Sequence, residues 1–109
     1  IRDRVQRADE LWAPHLVDAE VGHVLRRALL VRELTIARAS AALEDLAALP
    51  LRRAGHVALL DRAWALRANV TFYDGLYIAL AERLNTQLLT LDVRLQGVPG
   101  LRAEIAVVG

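Results

Sequence analysis

Three acidic side chains, Glu20, Asp74 and Asp92, carry the chemistry this sequence suggests. Asp74 falls in the first turn of a helix predicted from Phe72 to Leu84, with Thr71 as its N-cap. Asp92 ends a short apolar strand, Leu88 to Leu91. Glu20 lies on a helix that directly follows an earlier strand candidate. In a parallel α/β domain these places share one edge of the sheet, where ligands are bound. Carboxylates crowded there repel one another, and a divalent cation offsets the repulsion. Oxygen-only donors suit Mg²⁺ or Mn²⁺ better than zinc. Ions held this way activate water and neutralise phosphate oxygens in phosphodiester cleavage.

Each acid also has a purely structural reading. Thr71-x-x-Asp74 fits a capping box, and an acid in the first turn complements the helix dipole. Asp92 adjoins an apolar strand, where an unpaired carboxylate is costly, so it caps the next turn or binds a metal. Glu20 borders the apolar face drawn by Val17, Val21, Val24, Leu25 and Ala28, beside His23 and Arg27. Pairing with arginine explains it as well as an aim over the sheet edge does. His15, His23 and His56 are too widely spaced for a zinc motif, and Ser40 lies inside a helix without a nucleophile elbow. No glycine-rich phosphate loop is present. The aromatics sit mostly at core spacing, which argues against base stacking.

The elements that must position these residues alternate between strand and helix. A strand at Asp9 to Ala13 is closed by Pro14, which opens a helix to Val31. Thr35 caps a second helix, Ile36 to Leu49, stopped by Pro50. A weak strand, Leu51 to Arg53, precedes a helix from Val57 to Arg67. After the Leu88 to Leu91 strand come a short helical turn, a break at Pro99-Gly100 and a last strand, Glu104 to Val108. This order predicts an α/β sandwich around a parallel sheet. Four strands make a thin sheet.

Composition narrows the classes further. A chain of 109 residues that is 55% apolar and 25% charged forms one domain with a real core, not a disordered segment. The absence of cysteine excludes disulfides, thiolate catalysis and cysteine-held metals. No apolar run nears the roughly 20 residues that span a bilayer, and the arginine-rich start is no signal peptide, so the chain reads as cytoplasmic. All 14 basic residues are arginine, yet the net charge is only +1, so no broad nucleic-acid footprint stands out.

Three segments together carry a family resemblance: Ala13-Pro14-His15-Leu16-Val17-Asp18-Ala19-Glu20-Val21, Thr71 through Glu82, and Leu88-Leu89-Thr90-Leu91-Asp92-Val93-Arg94-Leu95. With these the chain resembles the PIN-domain ribonucleases of the VapC toxin type over nearly its whole length. The resemblance implies a three-layer α/β fold and Mg²⁺- or Mn²⁺-dependent endonucleolytic cleavage of RNA. It assigns Asp74 to direct metal contact, Asp92 and Glu20 to the same acidic cluster partly through water, and Thr71 to a supporting hydroxyl. It also implies a homodimer and inhibition by a small VapB-like antitoxin lying over the acids.

One departure is marked. The family opens with a central strand ending in a metal-binding aspartate, upstream of where this chain begins. A single, N-terminally incomplete PIN-like domain is therefore expected over residues 1–109, with a gap at the sheet's centre. Asp3 and Asp9 have no apolar strand before them to supply that aspartate. A catalytically inactive PIN remnant that binds an antitoxin or itself is the alternative. A receiver-type signalling domain would need a late lysine, which this chain lacks.

Overall fold

The computed structural model describes residues 3–108, arranged in two compact units. One takes the chain up to His15 and from Leu51 onward; the other is Leu16–Pro50. The strands are β1 (Arg4–Arg7), β2 (Glu10–Pro14), β3 (Leu51–Ala54), β4 (Gln87–Thr90) and β5 (Glu104–Val107). The helices are α1 (Leu16–Leu30), α2 (Ile36–Ala48), α3 (Leu60–Ala65) and α4 (Phe72–Arg83), with 3₁₀ turns at Val57–Leu59 and Val93–Gly97.

In the first unit all five strands form one sheet in the order β3-β2-β1-β4-β5. β2 pairs with β3 in parallel and β4 with β5 in parallel, while β1 runs antiparallel to both β2 and β4. The fold is α/β, as expected, but the sheet is mixed and its centre is closed. Arg4–Arg7 fills the position that the sequence left as a gap. The physical reason is backbone satisfaction: facing edges of β2 and β4 carry N–H and C=O groups that need partners. Val5, fully buried between Trp12 and Leu88, anchors the added strand.

The helix α4 is the packing centre of this unit. Thr71 caps it by accepting from the Asp74 backbone N–H at 3.1 Å. Every residue from Gly75 to Ala81 is buried, so the helix has no polar stripe over this run. It packs against β1, β2 and β4 as well as α3. Gly75 permits the close approach of α3: a Cβ there would lie 3.1 Å from the Ala63 carbonyl oxygen. Asn85, at φ 52°, ends the helix in the left-handed conformation that asparagine tolerates.

An arginine ties α3 to α4. Arg62 Nε donates to Glu82 Oε1 at 2.6 Å and Arg62 Nη2 to Oε2 at 3.1 Å. The same Nη2 reaches the Gly100 carbonyl at 2.7 Å, and the Arg102 N–H donates to Glu82 Oε2 at 2.7 Å. Burial alone would push the Glu82 carboxyl up. The Arg62 and Arg102 hydrogen bonds and charges overcome it and hold the group below its ordinary range.

In the second unit α1 and α2 pack on each other. Thr35 caps α2 as predicted, accepting from the Arg38 N–H at 3.2 Å. The first helix starts at Leu16, after Pro14 has closed β2 in register with Ala54. Val17, Ala39 and Leu46 are buried, whereas Val24 is exposed and so departs from the apolar face drawn from sequence. Among the described residues no helix is long and apolar enough to cross a membrane.

Candidate active site

Four of the five strands point the same way, so the ends of β2, β3, β4 and β5 share an edge with the start of β1. Thr90, fully buried at the end of β4, organises this edge. Its hydroxyl donates to Asp3 Oδ1 at 2.7 Å and accepts from the Asp92 N–H at 3.0 Å. One buried threonine therefore links two acids that are far apart in sequence. Asp3 itself is only 4% exposed.

Asp92 is held twice over. As the cap of the 3₁₀ turn Val93–Gly97, its Oδ1 accepts from the Arg94 backbone N–H at 3.0 Å. The Arg94 guanidinium then closes a fork on the carboxylate, Nε to Oδ1 at 3.0 Å and Nη2 to Oδ2 at 2.9 Å. Of the two readings offered for Asp92, the cap is seen here, since it caps the turn. The Asp92 hydrogen bond and charge, with a smaller part from Asp74, raise the Arg94 pKa above its ordinary value.

Asp74 sits half-buried in the first turn of α4, below the Thr71 cap. The threonine half of the expected capping box is formed, because the Thr71 hydroxyl oxygen accepts from the Asp74 amide. Glu20 lies half-buried in α1, and so belongs to the second unit. The sequence reading set Asp3 aside because no apolar strand precedes it. The strand follows it instead, and runs in the opposite direction. His15 and His56 form a further pair near this edge, rings edge-to-face at 6.5 Å between centroids. The expectation that most aromatics sit at core positions does not hold: Trp64 is 60% exposed, Tyr73 61% and Phe72 37%.

The family model for the PIN domain matches residues 1–101. Ribonuclease VapC1 of Mycobacterium tuberculosis is 54% identical over 97 residues, which are 88% of this chain and 73% of that protein. Ribonuclease VapC9 of the same organism is 41% identical over 101 residues, 93% of this chain and 80% of the relative. The chain belongs to the VapC family of PIN-domain proteins.

Within this VapC-family chain the β4 edge gathers Asp3 and Asp92 around Thr90. The acids offer only oxygen, and an internal cation, Arg94, already rests on Asp92. Among the described residues no three His, Cys, Asp or Glu side chains converge closely enough to hold a metal ion. Asp92 is instead paired with the Arg94 guanidinium.

Proposed function

We propose that this chain is a metal-dependent endoribonuclease, the toxin of a toxin–antitoxin pair. The observation that carries the proposal is the PIN-domain match over residues 1–101, in a chain whose buried Thr90 ties Asp3 and Asp92 together at one edge of the sheet. Relatives named as ribonucleases support the substrate class. Asp74 and Asp92 would hold Mg²⁺ or Mn²⁺, with Asp3 as a further acid at the same edge. The family resemblance gives Glu20 a share in the same acidic chemistry.

The ion, when bound, supplies a water of lowered pKa and charge neutralisation at the phosphodiester. The chain's own residues do the positioning. Thr71 fixes the first turn of α4 and so the Asp74 backbone. Thr90 fixes the Asp92 amide, and the Arg94 amide fixes one Asp92 oxygen. The positive end of α4 favours a negative group in this first turn. The family also suggests a VapB-like antitoxin partner, a homodimer and a cytoplasmic setting.

A second reading, a catalytically inactive PIN remnant that binds an antitoxin or itself, is favoured by one observation. Both oxygens of Asp92 are engaged by Arg94, and no three-acid cluster closes among the described residues. Cleavage of total RNA in Mg²⁺ or Mn²⁺ separates the two. The nuclease reading expects cleavage that EDTA and Asp74→Asn each abolish. RNA left intact under all metal conditions selects the binding remnant.

A further inference from the structure

Away from the acids, three arginines meet at the other end of α4. Arg62, Arg83 and Arg102 line one cleft of about 400 Å³, together with Glu82 and Asn85. The Glu82 carboxylate is already engaged by the Arg62 fork and the Arg102 N–H. Three guanidiniums against one engaged carboxylate leave the cleft cationic. Arg83 and Arg102 are both exposed, so their charges are open to a ligand. A second hollow of about 510 Å³ adjoins the first and shares Asn85 and Arg102 with it. Its other polar side chains are Gln6, Thr86, Gln87 and Glu104. Among the described residues neither lining includes an aromatic ring. Arginine, threonine, asparagine and glutamine are the side chains that contact phosphate and sugar, whereas splayed bases are held by stacking on rings.

Resting on the nuclease reading, we propose that these two hollows form a second RNA site, which takes the sugar–phosphate backbone of a single strand. The arginine cleft receives a phosphate, whose oxygens match the planar guanidinium fork. The adjoining hollow receives the ribose, with its 2′-hydroxyl donating to the Glu104 carboxylate. A carboxylate there accepts from a hydroxyl and repels a phosphate, so it fixes which part of the backbone lies in which hollow. The 2′-hydroxyl also separates RNA from DNA. With no ring to stack on, the site holds the strand without reading its bases. Gln87 and Glu104 begin β4 and β5, whereas Thr90 ends β4 at the acidic edge. Asp74 opens α4 and Arg83 closes it, which at about 1.5 Å per residue sets them roughly 14 Å apart along the axis. A short strand reaches from one to the other. The site therefore tethers RNA beside the acids and leaves the choice of bond to them.

The test follows a labelled single-stranded RNA by fluorescence anisotropy as the full chain is added in EDTA, so that no strand is cut. Wild type, Arg83→Ala, Arg102→Ala and Glu104→Ala are compared, with Arg38→Ala on exposed α2 as a control for the loss of one charge. Arg83→Ala and Arg102→Ala should each bind RNA severalfold more weakly. Each should also lower the slope of log K against log salt by roughly 0.7. Their melting temperatures should match wild type, since Arg102→Ala keeps the backbone N–H that Glu82 accepts. Wild type should hold RNA more tightly than DNA of the same sequence, and Glu104→Ala should lose most of that preference. Unchanged binding in both arginine variants, an equal loss in Arg38→Ala, or DNA held as tightly as RNA by wild type each overturns the proposal. Polyglutamate that displaces the label as readily as unlabelled RNA overturns it in favour of an acidic peptide. A parallel cleavage assay in Mn²⁺ keeps the two readings apart. Cleavage with binding that ignores both arginines strikes this site and leaves the nuclease. Arginine-dependent binding without cleavage strikes the nuclease reading and leaves this site.

Discussion

The arginine–carboxylate forks of Arg62 on Glu82 and of Arg94 on Asp92 both stand in the first unit, and their bond lengths are much alike. Their surroundings are not. Side-chain exposure is 24% for Arg62 and 8% for Glu82, against 86% for Arg94 and 12% for Asp92. Arg62 and Glu82 have further partners, the Gly100 carbonyl and the Arg102 N–H, which join α3, α4 and the segment before β5. The Arg94 fork spans two residues of one turn and joins no separate elements. The first fork is a fastening, and the second is a cover over a carboxylate. Equal geometry thus serves different ends, and exposure decides which.

The comparison breaks most visibly if the fastening proves dispensable. Arg62→Ala leaves the largely buried Glu82 carboxylate without its main partner, which should cost about 2–4 kcal/mol. In a domain of this size that is a fall in Tm of roughly 10 °C or more, measured by circular dichroism. Arg94→Ala should hardly move Tm, because its partner is still held by the backbone and its own charge is in water. Equal losses from the two variants would erase the distinction.

Beneath the exposed cover the second region is well buried, and Thr90 tests that. Thr90→Val keeps the shape but removes the hydroxyl shared by Asp3 and the Asp92 amide. Leaving those groups without it should cost about 1–3 kcal/mol. Urea unfolding should show it, together with slower RNA cleavage from a loosened Asp92. A neutral result would mean that the edge is as open below as it is above.

Proton linkage sharpens the contrast further. Glu82 is held below its ordinary carboxyl range, so it binds protons less readily folded than unfolded. Its contribution to stability is present above about pH 4.3 and is lost as the pH falls through the folded value. Glu82→Gln should flatten this acid limb of the stability profile while lowering stability at neutral pH. Thermal melts from pH 3 to 7 would detect both.

Helix positions were legible in the sequence because their signals are local. Thr35 and Thr71 are hydroxyl caps in front of apolar runs, and both cap as read. The positions of Asp74 and Asp92 were legible for the same reason, each tied to one element's end. The central strand was not. Arg4–Arg7 contains a single apolar residue, and the Ala8-Asp9 turn that joins it to β2 lacks the Asn-Gly or Gly signature of a tight hairpin. Ala8 instead takes φ 51°, a conformation alanine adopts only at a cost. Its formation is driven by the edges of β2 and β4, which no local pattern reports. The place of Asp3 beside Thr90 was not legible either, nor was the fork of Arg94 on Asp92, because both depend on how side chains meet across the fold. The exposed Trp64 and Tyr73 show the same limit, for apolar spacing does not reveal which face a neighbour covers.

Gly75 gives the smallest effect and the most informative sign. Within α4, alanine should add up to about 1 kcal/mol of helix propensity relative to glycine. Against that, its Cβ would stand 3.1 Å from the Ala63 carbonyl oxygen and 3.2 Å from the Ala63 Cα. Both neighbours are backbone, so α3 as a whole must move to relieve the contact. Moving α3 pulls Arg62 away from Glu82, because the fork leaves this helix one residue before Ala63. Overpacking of this kind costs about 1–3 kcal/mol, so Gly75→Ala should lower stability by a net amount of about 1 kcal/mol. In an Arg62→Ala background the fork no longer resists that shift, and the penalty should shrink or change sign. A double-mutant cycle measures this coupling directly. An unchanged penalty would mean that close helix packing, and not the arginine fork, sets the position of α3.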